Sequence, residues 1–152
     1  MRKQRQRIYV DTSVIGGCLD EEFADASQKL IAMIKRGEAI LLISALLAEE
    51  LEDAPPAVRA TLYDLPRQSL ELVNESAESR FLRDAYLTAA VVGRSHADDA
   101  HHVALATVAR ADLIVSWNFK HIVHFDKIRG FNAVNLREGY PTIAIYSPLE
   151  VV

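Results

Sequence analysis

Asp11, Glu50, Asp99 and Asn118 are the residues of this chain whose types and settings point to chemistry. Asp11 ends the short apolar run Ile8-Tyr9-Val10 and is followed at once by Thr12-Ser13. A strand that delivers a carboxylate into a polar turn at its C-terminal end is a common way to build a site in an open α/β sheet. Asp98-Asp99 heads an apolar helical segment, and Ser116-Trp117-Asn118 directly follows the apolar run Leu113-Ile114-Val115. Glu49 or Glu50 could join them from a fourth segment. Oxygen-only ligands select Mg²⁺ or Mn²⁺ over softer metals. A hard cation among carboxylates suits phosphodiester chemistry, because it lowers the pKa of water and stabilises charge on phosphate oxygens.

Each candidate also has a purely structural use. Ser95 and Asp98 stand three apart just before a helix, which predicts a capping box. Asp99 is then left free in the first turn, where the helix N-terminus is expected to keep it ionised. Neighbouring helical residues point about 100° apart, so only one of Glu49 and Glu50 can face a shared cleft. Glu50, four residues after Leu46, borders the apolar side marked by Leu46, Leu47 and Leu51; Glu49, Glu52 and Asp53 read as surface charge. Asn118 can ligate through its oxygen or position a water, and can equally serve a turn or a helix N-cap. Thr12 and Ser13 can orient Asp11 by hydrogen bonds, and Ser116 can orient a carboxylate.

The histidines do not read as a metal site. His101 and His102 lie in the apolar helix, His121 and His124 are three apart, and there is no HExxH arrangement. They are expected to be packed or surface residues. Dinucleotide, P-loop and serine-hydrolase motifs are absent. The Asp11-Thr12-Ser13 turn resembles the aspartyl nucleophile of haloacid-dehalogenase-like phosphatases, which carry a second acid where this chain has Ser13.

The elements that must position these groups follow from apolar periodicity. Ile8–Val10, Ile40–Ile43, Leu70–Val73, Leu113–Val115 and Thr142–Tyr146 read as strands, and the unbroken apolar run at Ile40–Ile43 predicts a buried parallel one. Helices are predicted over Phe23–Lys35, ended by Gly37, and over Ala45–Asp53, capped by Ser44 and stopped by Pro55-Pro56. Further helices are predicted over Val58–Leu65, Ser76–Val92 with Gly93 ending it, and Ala97–Arg110. Phe119–Phe125 reads as a helical turn or two, and Gly16-Gly17 as a loosening of the chain. Strands alternating with helices predict a three-layer α/β/α sandwich around a mostly parallel central sheet.

At 152 residues the chain reads as one domain, residues 1–152, able to bury a sizeable core. Residues 1–7 form a basic head expected to be solvated and partly frayed, a phosphate-contacting arm being the alternative. This head and the short run after it do not read as a signal peptide. The apolar stretch Ala39–Ala48 is too short to span a bilayer. Cys18 is the only cysteine, which excludes an internal disulfide and a thiolate metal cage and suits the cytoplasm. The net charge of −4 counts against a protein that holds nucleic acid by charge alone. It counts less against a metal-dependent nuclease, whose clustered acids contribute to that charge.

Four motifs in order resemble the PIN-domain family, as found in the ribonuclease toxins of VapBC-type toxin–antitoxin pairs. They are Ile8-Tyr9-Val10-Asp11-Thr12-Ser13; Ile43-Ser44 through Glu50-Leu51; Asp99-Ala100-His101-His102-Val103-Ala104-Leu105-Ala106; and Asp112 through Asn118, ending in Phe119-Lys120-His121-Ile122. The resemblance covers nearly the whole chain. It implies a Mg²⁺- or Mn²⁺-dependent ribonuclease with Asp11, Glu50 and Asp99 as metal ligands and Asn118 as a fourth catalytic residue. Thr12, Ser13 and Ser116 would support them. It also implies an RNA substrate, an antitoxin partner and a homodimer. Many PIN nucleases have aspartate at the position of Asn118, so one formal negative charge is missing here. A PIN-fold RNA- or protein-binding module with little or no catalysis is therefore the alternative, and a small-molecule phosphatase a third.

Overall fold

The computed structural model describes residues 4–152, so Arg2 and Lys3 of the basic head lie outside the described residues. Five strands form one sheet: β1 (Gln6–Val10), β2 (Ala39–Ser44), β3 (Leu70–Val73), β4 (Leu113–Val115) and β5 (Ala144–Tyr146). Their spatial order is β3-β2-β1-β4-β5, and every neighbouring pair is parallel. Side chains alternate across the sheet. Ile8, Val10, Leu41, Leu113 and Val115 face one core, while Tyr9, Leu42 and Ile114 face the other. Both faces are covered, which is why these strands read as unbroken apolar runs rather than as alternating ones.

Helices α1 (Thr12–Gly17), α2 (Ala24–Lys35), α3 (Ala45–Leu51) and α4 (Pro56–Tyr63) pack on the first face. Helices α5 (Ala77–Thr88), α6 (Ala97–Val108) and α7 (Phe125–Arg137) pack on the second. The result is the expected three-layer α/β/α sandwich. Among the described residues, no helix is long and apolar enough to cross a membrane.

Several local expectations change in the folded chain. Gly16 and Gly17 are part of α1 instead of loosening the chain. Helix α5 stops at Thr88, short of Gly93, because Ala90 turns the backbone into the left-handed region at φ 57°. Residues Phe119–His124 form turns and not a helix. Helix α7 has no counterpart in the periodicity, since Gly130, Asn132 and Asn135 are weak helix formers. Tertiary contacts hold it. Phe131 is fully buried and meets the Tyr86 ring edge-on with centroids 4.9 Å apart. Buried Asn135 accepts from Tyr86 Oη at 2.5 Å and donates to Thr107 Oγ1 at 3.3 Å.

Within the described part of the basic head, β1 already begins at Gln6. The Arg7 guanidinium bonds Glu71 at 2.6 and 2.8 Å and donates to the Ala109 and Arg110 carbonyls at the end of α6. Its backbone N–H donates to Asp112 Oδ2 at 2.7 Å, which ties the start of β1 to the approach of β4.

Gly17 is required by close packing. A Cβ there would lie 2.7 Å from Ser27 Oγ and 2.9 Å from Trp117 Nε1, the two atoms joined by a buried 2.7 Å hydrogen bond. Trp117 also stacks on Phe23, with centroids 4.4 Å apart. Gly17→Ala is expected to lose about 1–3 kcal/mol through overpacking. Urea unfolding would read this as a lower midpoint at unchanged slope; an unchanged midpoint would contradict the packing account.

Candidate functional site

The chain runs outward from β1 through β2 to β3, then crosses back to β4 on the other side of β1. Strand order therefore reverses between β1 and β4, and open α/β sheets form a crevice beyond the carboxyl ends of strands at such a point. Val10 and Val115 are in register, so the residues that follow them, Asp11 and Ser116, emerge side by side.

Asp11 is 4 % exposed. Ser13 Oγ donates to its Oδ1 at 2.5 Å, and Ser116 Oγ donates to its Oδ2 at 2.7 Å. The two hydroxyls are themselves positioned by the chain after β4: Ser13 Oγ accepts from the Trp117 N–H and Ser116 Oγ from the Asn118 N–H, each at 2.9 Å. Thr12 does not join them. Its hydroxyl donates to Glu50 Oε1 at 3.0 Å, because α1 starts at Thr12 and turns that side chain toward α3.

Glu50 is brought to the same end of the sheet by α3, whose start is capped by Ser44 Oγ accepting from the Leu47 N–H at 3.2 Å. Its side chain is 34 % exposed. Glu50 Oε1 meets His102 Nε2 at 2.5 Å, His102 Nδ1 meets Tyr9 Oη at 2.6 Å, and Tyr9 Oη meets Ser44 Oγ at 2.9 Å. A carboxylate only accepts, so Nε2 carries a proton. Tyr9 Oη in turn bonds both His102 Nδ1 and Ser44 Oγ. A continuous hydrogen-bond chain thus joins α3's cap, Ser44, to its acid, Glu50. Burial pushes the Glu50 carboxyl up, but the His102 bond and charge and the Thr12 bond outweigh it and leave the pKa below the usual value.

Asp99 lies in the first turn of α6 and departs from two expectations. Ser95 does not cap the helix, because Arg94–His96 form a 3₁₀ turn and His96 takes the N-cap position without a side-chain bond. Asp98 is exposed. The Asp99 pKa is also raised, not lowered. Desolvation raises it more than His121, His102, the Asn118 amide and His96 lower it. Asp11 is raised in the same way: desolvation dominates, His102 and the two serines oppose it, and the Asp99 charge adds to it. A helix N-terminus acts over a turn, whereas the crevice that desolvates both acids exists only after folding.

Asn118 sits beside Asp99, and its Oδ1 is occupied. It accepts from the Lys120 N–H at 3.2 Å and the His121 N–H at 2.9 Å, which shapes the turn after β4. Glu49 is exposed, as expected for surface charge. The structure thus brings Asp11, Glu50, Asp99, Asn118, Ser13, Ser116 and Thr12 to one end of the sheet. His101 is buried and bonds Ser79 Oγ at 3.2 Å, and His124 Nδ1 caps α7.

His102 is packed, as the sequence predicts for it, but its link to Glu50 is what sequence reasoning missed. Its position three residues after Asp99, hence on the same helical face, was the available signal. Among the described residues no lysine or arginine forms an ion pair with Asp11, Glu50 or Asp99. Two desolvated carboxyls, with the Asp99 charge raising Asp11 further and no lysine or arginine to offset them, make an oxygen donor set suited to a divalent cation.

Comparison with known proteins is consistent with this geometry. The family described as PIN domain matches residues 7–120. Among solved structures, VapBC2 from Rickettsia felis bound to a DNA fragment from their promoter contains a similar chain, at TM-score 0.58 and 14 % identity. The match covers 93 % of this chain and 98 % of that one, and at this identity it speaks for the fold. No curated protein matches.

Proposed function

The chain belongs to the PIN domain family, and from that premise we propose that it is a divalent-cation-dependent ribonuclease. The observation that carries this reading is the desolvated Asp11–Asp99 pair, raised by burial, beside an ionised Glu50. Asp11, Asp99 and Glu50 would hold Mg²⁺ or Mn²⁺. When bound, the cation supplies charge neutralisation at a phosphodiester and a lowered pKa for water. Ser13 and Ser116 fix both oxygens of Asp11, so the carboxylate needs no reorganisation to ligate. His102 and Thr12 both occupy Glu50 Oε1, which leaves Oε2 free to take a proton from water or to ligate. Asn118 holds the turn and adds no charge.

The likeness to a VapBC2 chain supports a toxin role in a toxin–antitoxin pair. The proposal includes a cytoplasmic location, an antitoxin partner, a homodimer, and residues 1–152 as a single catalytic domain. The alternative, a PIN-fold binding module, is favoured by one observation: the Asn118 oxygen is committed to backbone donors rather than to a ligand.

The test is incubation of a structured RNA with purified protein in Mg²⁺, Mn²⁺ or EDTA, beside Asp99→Asn. Cation-dependent products are expected, reduced about 100-fold or more in the variant. Metal-independent RNA binding with no products under any cation would replace this reading with the binding module. Turnover of a chromogenic phosphate monoester without RNA cleavage would replace it with a phosphatase.

A further inference from the structure

His96, Asp99 and His121 converge at the rim of the acid pair from three separate turns. His96 ends the 3₁₀ turn before α6, Asp99 stands in the first turn of α6, and His121 follows β4 in the turn held by Asn118. One ligand atom from each lies within 4.8 Å of the other two. His96 Nδ1 is 3.7 Å from Asp99 Oδ2, and the two imidazoles stack with centroids 3.6 Å apart at 24°. We propose that these three side chains form a transition-metal site of the Zn²⁺, Co²⁺ or Ni²⁺ class, distinct in chemistry from the hard-cation set and sharing Asp99 with it.

The donor set decides the class. Two imidazole nitrogens and one carboxylate oxygen match borderline metals, whereas Mg²⁺ takes oxygen ligands and keeps its waters. Three protein ligands leave a fourth position open to water or to a phosphate oxygen. Bonds of 2.0–2.1 Å in a tetrahedron put ligand atoms roughly 3.4 Å apart, so from separations within 4.8 Å closure needs a contraction of at most about 1.4 Å. All three residues are only partly buried, so side-chain rotation can supply it without moving the backbone. Neither histidine contacts Asp11 or Glu50 by a hydrogen bond, so the site can be emptied by mutation with the rest of the crevice in place. One consequence rests on the nuclease reading: an ion held here competes for Asp99, so Zn²⁺ would inhibit Mg²⁺-dependent cleavage.

The experiment is an optical titration of untagged protein with Co²⁺ in excess Mg²⁺, for the wild type, His96→Ala, His121→Ala and Glu50→Gln, with circular dichroism to verify folding. One Co²⁺ per chain is expected, with visible bands of low-symmetry coordination. Affinity should fall about 10-fold or more in each histidine variant and stay unchanged in Glu50→Gln. Wild-type affinity in either histidine variant, loss in Glu50→Gln, or no Co²⁺ bound by folded wild type would overturn the site. The readout is binding, so it stands or falls separately from RNA cleavage.

Discussion

Asp11→Asn is expected to reduce cation-dependent RNA cleavage about 100-fold or more and, in EDTA, to melt above the wild type at neutral pH. The two effects share one cause. Asp11 is desolvated, and the nearby Asp99 charge opposes its ionisation further. Without a cation this is a destabilising charge, and the amide removes it while keeping the shape. Ser13 and Ser116 remain able to pair with the amide, because a hydroxyl can donate or accept.

The pH dependence follows from the direction of the shift. A carboxyl whose pKa is raised on folding contributes stability that is present below its unfolded pKa of about 4 and lost as pH rises through the folded value. The thermal advantage of Asp11→Asn should therefore be largest at neutral pH and shrink toward pH ~4. Melting curves in EDTA across that range, paired with cleavage assays in Mg²⁺, check both halves. A variant that cleaves normally would remove Asp11 from the site, and one that melts below the wild type at every pH would contradict the desolvation account.

The second large effect is structural. His102→Ala is expected to cost about 2–4 kcal/mol, a drop in melting temperature of roughly 5–15 °C. His102 is 2 % exposed, and its ring links Tyr9 Oη to Glu50 Oε1 in the hydrogen-bond chain from Ser44. Truncation leaves a cavity beside the Tyr9 ring, whose centroid lies 5.7 Å away, and removes one of the two partners of the buried Tyr9 hydroxyl, leaving Ser44. It also frees Glu50 from its strongest partner, so cleavage should fall with stability. Tyr9→Phe is the control. It keeps the packing, removes the hydroxyl, and is expected to cost only about 1–2 kcal/mol. If His102→Ala melts within a degree of the wild type, the buried chain contributes nothing measurable.

These expectations show where local sequence carried information and where it did not. The strands were legible because burial on both faces leaves unbroken apolar runs, as at Ile40–Ile43 and Leu113–Val115. Ser44 was legible as a cap because its bond to Leu47 spans three residues. Ser95 was not, because a 3₁₀ turn at Arg94–His96 uses the same residues for another local structure. Helix α7 was invisible because Tyr86, Thr107 and Val91 select it from outside its own segment: a Cβ at Gly130 would stand 2.9 Å from Val91 Cγ1.

The candidate site divides the same way. That acids follow apolar runs, and that their oxygens suit a hard cation, was determined by residue type and order alone. Which groups meet was decided by the strand order, which sets β1 beside β4 and so Asp11 beside Ser116. Only the fold stacks His96 on His121, joins His102 to Glu50, and turns Thr12 from Asp11 to Glu50. Only the fold raises the Asp11 and Asp99 pKa values. The physical reason is range: side-chain period and capping act over three or four residues, whereas desolvation and the charge of a distant segment exist only once the crevice between β1 and β4 has closed.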